Sequence, residues 1–141
     1  MINFNTPRKY IKLTSDCFNF KFEYDEKNKI VTLIWEQFFD LQYVCNVGMS
    51  EILFSSISKV NNSAISVACN LLKRTVFNRN KEIVCGKIKS DTLYVTKNLT
   101  TFPCDIESTN CVKLTMKNIA LNDETIDFLS VTLILEYGAK E

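Results

Sequence analysis

The sequence predicts an all-β protein, an antiparallel β-sandwich of about eight strands. The 141 residues are 46% hydrophobic, and ten Phe and five Tyr accompany many β-branched residues, a composition that favours pleated sheet. Apolar and polar residues alternate in several segments, which places one row of side chains on each face of a strand. No convincing amphipathic helix separates these segments, so we expect neighbouring strands to pair antiparallel.

The clearest strand signal is residues 18–24, where Phe18, Phe20, Phe22 and Tyr24 alternate with polar residues. A polar turn at residues 25–29 precedes the alternating segment 31–35, so the two segments predict a hairpin. Residues 39–47 continue the period of two as far as Gly48, where a missing side chain suits a bulge or a close backbone approach. The other predicted strands are residues 65–71, 83–85, 93–95, 112–116 and 131–137.

The length allows one domain with a buried core and is short for two. We therefore predict a single domain, residues 1–141, in which residues 1–9 could form a flexible amino-terminal arm. The strand count fits a single jelly roll. Alternation alone does not separate a jelly roll from an immunoglobulin-like sandwich, although the Cys and Trp spacing of antibody domains is missing.

Composition argues against several kinds of chemistry. Seventeen Lys and Arg against sixteen Asp and Glu give a net charge of +1, so no overall field steers the chain to nucleic acid or an anionic membrane. No segment approaches the length of a membrane span or resembles a signal peptide, which predicts a soluble protein made in a reducing cytosol. The six Cys are then expected to be free thiols buried as small apolar residues. Because the chain has no His and buried thiols are poor nucleophiles, we predict no enzyme activity, no metal site and no cofactor.

Two groups of charged residues are candidate contact sites. Glu51 lies close to Gly48 at the end of a predicted strand. Its carboxylate could make a local hydrogen bond to the backbone, be a buried acid with satisfied hydrogen bonds, or form an ion pair with another subunit. The densest basic cluster could contact nucleic acid or form a solvated loop. It consists of Lys73, Arg74, Arg79 and Lys81. Phe38, Phe39 and Phe54 are either interface anchors or core.

Three segments resemble the minor capsid (penton) protein of Polinton, or Maverick, elements and of adintovirus-like viruses. Residues 44–52 are similar to the family block W-x-V-G-L-x-E-I, residues 65–72 to a strand with V-Y-C-D-L, and residues 111–137 to the closing hairpin of the family. The matching positions are Val47, Gly48, Glu51, Ile52, Cys69, Leu71, Val131, Thr132 and Leu133.

This resemblance implies a single jelly roll that forms homopentamers at the five-fold vertices of a virion capsid assembled inside the host cell. The implied partners are further copies of the chain and a double-jelly-roll major capsid protein. The basic cluster separately suggests a weak genome contact, and the charge and hydropathy predict no membrane partner. Five-fold packing makes the subunit contacts heterologous. A ligand- or receptor-binding β-sandwich module, viral or host, is the alternative, as is another cement or spike component of a virion.

Overall fold

The computed structural model describes residues 7–55, 57–60, 64–75, 81–87, 93–97, 100–117, 119–121 and 129–138. This part of the chain is all β, with antiparallel sheets and no helix, as the sequence predicts. The strands in chain order are β1 (Arg8–Thr14), β2 (Phe20–Asp25), β3 (Ile30–Trp35), β4 (Phe39–Asp40), β5 (Val44–Ser55), β6 (Ile57–Val60), β7 (Ala64–Cys69), β8 (Glu82–Lys87), β9 (Leu93–Lys97), β10 (Thr101–Pro103), β11 (Ser108–Thr109), β12 (Val112–Lys117), β13 (Ile119–Leu121) and β14 (Leu129–Tyr137).

Two five-stranded sheets make up most of the molecule. The first sheet has the order β1–β14–β5, and the far edge of β5 pairs first with β10 and then with β9. The second sheet has the order β2–β3–β12–β7–β8. Two short ladders, β4 with β11 and β6 with β13, complete the described pairings, and every pairing is antiparallel.

The two sheets share one hydrophobic core. Alternate residues of β3, β12 and β14 point into it, and these residues are Val31, Leu33, Trp35, Val112, Leu114, Met116, Val131, Leu133 and Leu135. The Trp35 indole Nε1–H donates to the Thr14 carbonyl at 2.8 Å, which links β3 of the second sheet to β1 of the first. The Phe20 ring lies beside the indole, with ring centroids 5.0 Å apart.

The predicted hairpin is present as β2 and β3, but its first strand begins later than the alternation suggested. The backbone turns between Thr14 and Phe20, where Cys17 N–H donates to Thr14 O and Phe20 N–H to Cys17 O. Phe18 therefore lies at the tip of a turn and is fully exposed, so its assignment to the strand was wrong. At the other end, Asn28 donates two hydrogen bonds to the Asp25 carboxylate, and these bonds lower the pKa of Asp25.

The segment before Gly48 does not keep the predicted period of two. Residues 41–43 form a turn between β4 and β5, so Tyr43 is exposed and Val44 is buried instead. The ladder between β5 and β14 also shifts register at Cys45 and at Ser50. Each extra residue moves the next inward position by one, which is why the buried hydrophobic residues described in β5 are spaced three, two and three apart. They are Val44, Val47, Met49 and Ile52.

The prediction of a close backbone approach at Gly48 is confirmed. Gly48 pairs with Ile134 on one side and Thr101 on the other, and a Cβ at this position would lie 2.4 Å from the Thr100 carbonyl oxygen. Only a residue without a side chain lets β10 come this near to β5.

The first strand was not predicted. β1 pairs with β14 along its whole length, from Arg8 opposite Glu136 to Thr14 opposite Ser130. Two residues of the predicted arm, Arg8 and Lys9, therefore belong to the sheet, and residues 1–6 lie outside the described residues. Charged residues obscure the alternation here because β1 is an edge strand, where charge discourages pairing with another chain.

Candidate functional site

Glu51 lies in β5 on the outer face of the first sheet, next to the buried Ile52. Glu51 is half-buried, and the register places Thr132 of β14 on one side and the backbone of Lys97 of β9 on the other. Lys12 of β1 stands on the far side of Thr132. The register thus places a polar residue of β14 directly opposite Glu51, and the role of Glu51 in an inter-subunit ion pair stays a prediction.

The structure separates the residues of the predicted basic cluster, with two of them near β10 and one just before β8. Lys73 N–H donates to the Pro103 carbonyl at 2.8 Å, which holds this residue beside β10, and Arg74 follows it as an exposed side chain. Lys81 precedes β8, where its carbonyl accepts a hydrogen bond from Cys69 N–H. Arg79 lies outside the described residues. Lys81 instead lines a shallow depression of about 280 Å³ together with Lys113 of β12, which the sequence did not associate with the cluster.

A deeper cavity opens at one end of the two sheets, and we call it the end groove. Its volume is about 360 Å³, within the range typical of small-molecule sites. Three separate parts of the chain meet here: the start of β1, the segment around β4, and the end of β14. The lining residues are Lys9, Ile11, Gln37, Phe38, Phe39, Asp40, Tyr43, Leu135 and Tyr137.

The end groove has a buried apolar floor and an exposed aromatic rim. Phe39 and Leu135 are 5% and 2% exposed and belong to the core, whereas Phe38 and Tyr43 are 62% and 67% exposed. Of the three Phe residues that the sequence left as interface anchors or core, Phe38 is on the surface, Phe39 is core, and the Phe54 side chain lies outside the described ones. Tyr43 was not singled out, because the period of two assigned it to the core.

Hydrogen bonds hold the rim of the end groove in place. β4 pairs with β11, and Leu41 N–H donates to the Glu107 carbonyl at 2.8 Å. Gly138 N–H donates to the Tyr43 carbonyl at 3.0 Å, which attaches the rim to the end of β14. The Asp40 carboxylate accepts the Gln42 N–H at 3.1 Å. The rim is therefore part of the folded framework.

The described thiols differ in their surroundings. Cys69 and Cys104 are buried in the core as predicted, whereas Cys17 is exposed and Cys45 and Cys111 are half-buried, so the expectation of core positions was wrong for these three. All five are free thiols. Burial raises the pKa of Cys69 to about 12, which keeps this thiol protonated and unreactive at neutral pH. Cys85 has no described side chain.

Metal-ligating residues are scattered in the part of the chain that the structure describes. There, no group of three or more His, Cys, Asp and Glu lies close enough together to hold an ion. No helix among the same residues is long and apolar enough to cross a membrane.

Known family models, curated proteins and solved structures give no match to this chain. The segments 44–52, 65–72 and 111–137 include β5, β7 and β12 to β14. β5 and β14 are neighbours, with Val131 opposite Ile52 and Thr132 opposite Glu51.

Proposed function

We propose that the chain is a structural virion protein, a single-jelly-roll minor capsid (penton) subunit that associates with copies of itself at five-fold vertices. The observation that carries the proposal is the order in which the strands pair. The resemblance of β5, β7 and β14 to the penton family points in the same direction. The major capsid protein would be the second partner.

The pairing order supports a jelly roll because the main strands form four nested pairs. The outermost pair is β1 with β14, the next is β3 with β12, the third is β5 with β9 and β10, and the innermost is β7 with β8. Counting β9 and β10 as one strand, the two sheets then have the orders 1-8-3-6 and 2-7-4-5. Folding a long antiparallel ribbon once over on itself produces these orders, and two Greek keys in two sheets define the jelly roll. β2 adds one strand to an edge.

The open edges favour subunit contacts through faces and turns rather than through added strands. β1 and β2 are edge strands and carry charged residues at Arg8, Lys9, Lys12, Lys21, Glu23 and Asp25. β10, at the opposite edge of the first sheet, contains Pro103. Charge and proline at edges prevent uncontrolled strand addition. A ring that closes at five members needs such protection against open-ended growth.

Phe18 is the exposed aromatic best placed to anchor a neighbouring subunit. Its side chain is fully exposed at the tip of the turn between β1 and β2, and aromatic residues are enriched at the centres of interfaces. In a five-fold ring, contacts are heterologous, so we expect this turn to meet a different surface of the next subunit.

Native mass spectrometry of the purified chain tests the proposal. We expect a particle of five chains, and five-fold class averages by electron microscopy. Phe18→Asp should shift the population to monomer, whereas Lys27→Ser, in the exposed turn between β2 and β3, should leave it unchanged. A protein that stays monomeric at high concentration, alone and with the major capsid protein, would contradict the proposal.

Contact with the genome is a weaker part of the same proposal. Lys73, Arg74 and Lys81 supply positive charge, but the structure divides them between β10 and the Lys81–Lys113 depression. Binding carried by a few phosphate contacts falls steeply with salt. We therefore expect single-stranded DNA to bind weakly at low salt and to be released near physiological salt.

A further inference from the structure

We propose that the end groove is a binding site for a neutral carbohydrate, in which a sugar ring stacks on Phe38 or Tyr43 and its hydroxyl groups bind Asp40, Gln37 and Lys9. The proposal does not rest on the capsid role. It follows from the combination of exposed aromatic rings, a buried floor and three different polar groups around one cavity.

The exposed aromatic rings at the rim of the groove provide a surface on which a sugar ring can stack. Phe38 and Tyr43 expose 62% and 67% of their surface, although a large aromatic side chain gains free energy when water is removed from it. A pyranose ring has one face made mainly of C–H groups, which fits against an aromatic ring and covers it. Tyr137, partly buried at the end of β14, adds a further aromatic side chain, which also carries a polar hydroxyl.

The polar side chains around the groove indicate a neutral ligand with many hydroxyl groups. Asp40 accepts hydrogen bonds, Lys9 donates them, and the Gln37 amide does both. The cation and the carboxylate cancel, so the groove has no net charge to select a phosphate or an ammonium ligand. A ligand with many hydroxyl groups satisfies acceptors and donors together. A purely apolar ligand would displace water from these three groups without replacing the hydrogen bonds that the water made, which costs free energy.

The framework of the groove favours binding without rearrangement. The pairing of β4 with β11 fixes the position of Asp40, whose carboxylate is further oriented by the Gln42 N–H. The bond from Gly138 N–H to the Tyr43 carbonyl fixes the opposite rim. A site that is already ordered loses little conformational entropy when the ligand binds.

Glycan-array screening of the fluorescently labelled wild-type protein, followed by titration of the best neutral oligosaccharide by calorimetry, tests this assignment. Phe38→Ala and Tyr43→Ala remove exposed side chains, so the fold should be retained, and each should weaken binding roughly tenfold or more. Asp40→Asn should weaken binding too, because it replaces an acceptor-only group. Lys27→Ser, in the exposed turn between β2 and β3 and outside the groove, should bind as the wild type does.

Several outcomes would overturn the assignment. One is the lack of binding to any neutral glycan at millimolar concentration, and another is binding that both rim variants retain. Preference for sialylated over neutral glycans would contradict the neutral ligand. Native mass spectrometry of the same variants separates this test from the capsid proposal: if Phe38→Ala and Tyr43→Ala dissociate an oligomer, the groove is an interface between copies of the chain.

Discussion

Replacing Gly48 by Ala tests the close approach of the β5 and β10 backbones. The new Cβ would lie 2.4 Å from the Thr100 carbonyl oxygen and 3.2 Å from Thr101 Cγ2. Carbon atoms in van der Waals contact are about 3.5–4.0 Å apart, so β5 and β10 would have to separate by roughly 1 Å. The φ of Gly48 is not in the left-handed region, and the contact alone therefore determines the cost.

β10 cannot move away freely, which sets the size of the effect. Phe102 pairs with Val47, the Pro103 carbonyl accepts from Lys73 N–H, and Cys104 N–H donates to the Cys45 carbonyl. Overpacking of a well-packed site costs about 1–3 kcal/mol. Ala has fewer conformations than Gly in the unfolded chain, and this lower entropy stabilises the folded variant by about 0.4–1 kcal/mol. We expect Gly48→Ala to lower the free energy of unfolding by about 1–2 kcal/mol.

Urea unfolding followed by tryptophan fluorescence measures this change, because the single Trp is fully buried. The urea midpoint should fall while the slope stays constant. Gly138→Ala is the matched control: its Cβ would meet only the Cys45 side chain, at 3.1 Å, and its stability should stay within about 0.5 kcal/mol of the wild type. If both variants are equally stable, the reasoning about the β5–β10 contact is refuted.

Three further substitutions have effects that the structure specifies. Trp35→Phe removes the donor to the Thr14 carbonyl and leaves a void, so urea unfolding followed by circular dichroism should show a loss of about 2–4 kcal/mol. Cys69 has its pKa raised from 9.0 to about 12 in the fold, so above pH 9 only the unfolded state loses this proton and stability falls with rising pH. Cys69→Ala removes this effect, and its stability deficit relative to the wild type should shrink by about 1.4 kcal/mol between pH 7 and pH 10. Glu136 is 13% exposed and accepts from Arg8 at 2.9 Å, so Glu136→Gln should cost about 0.5–1.5 kcal/mol, and less in 1 M NaCl.

Each of these expectations can fail in a recognisable way. A loss below about 1 kcal/mol for Trp35→Phe would mean that the indole hydrogen bond does not link the sheets. A deficit for Cys69→Ala that is the same at pH 7 and pH 10 would contradict burial of the thiol, and Cys17→Ala, at an exposed thiol, controls for the loss of a thiol group. An effect of Glu136→Gln that does not change with salt would contradict the ion pair with Arg8.

The alternation of apolar and polar side chains is by itself enough to predict much of this fold. It predicted β3, β12 and β14 and the residues that face the core, because a period of two depends only on the local backbone. Gly48 was also recognisable, since a glycine within a strand indicates a bulge or a close approach. The exclusion of Cys69 as a nucleophile followed from its apolar neighbours.

Only the tertiary structure decided which residues of β5 face the core, that residues 8–14 form the edge strand β1, and which residues line the end groove. The register shifts at Cys45 and Ser50 depend on how β14 pairs with β5, and the pairing partner cannot be known from one segment. The end groove joins Lys9, Phe38 and Tyr137, which are far apart in the chain. The pairing of β1 with β14 brings Lys9 to the end of β14, and the bond from Gly138 N–H to the Tyr43 carbonyl attaches the segment around β4. Local pattern fixes which face a side chain occupies. Contacts between distant strands fix which side chains share a surface, because that depends on the packing of the whole chain.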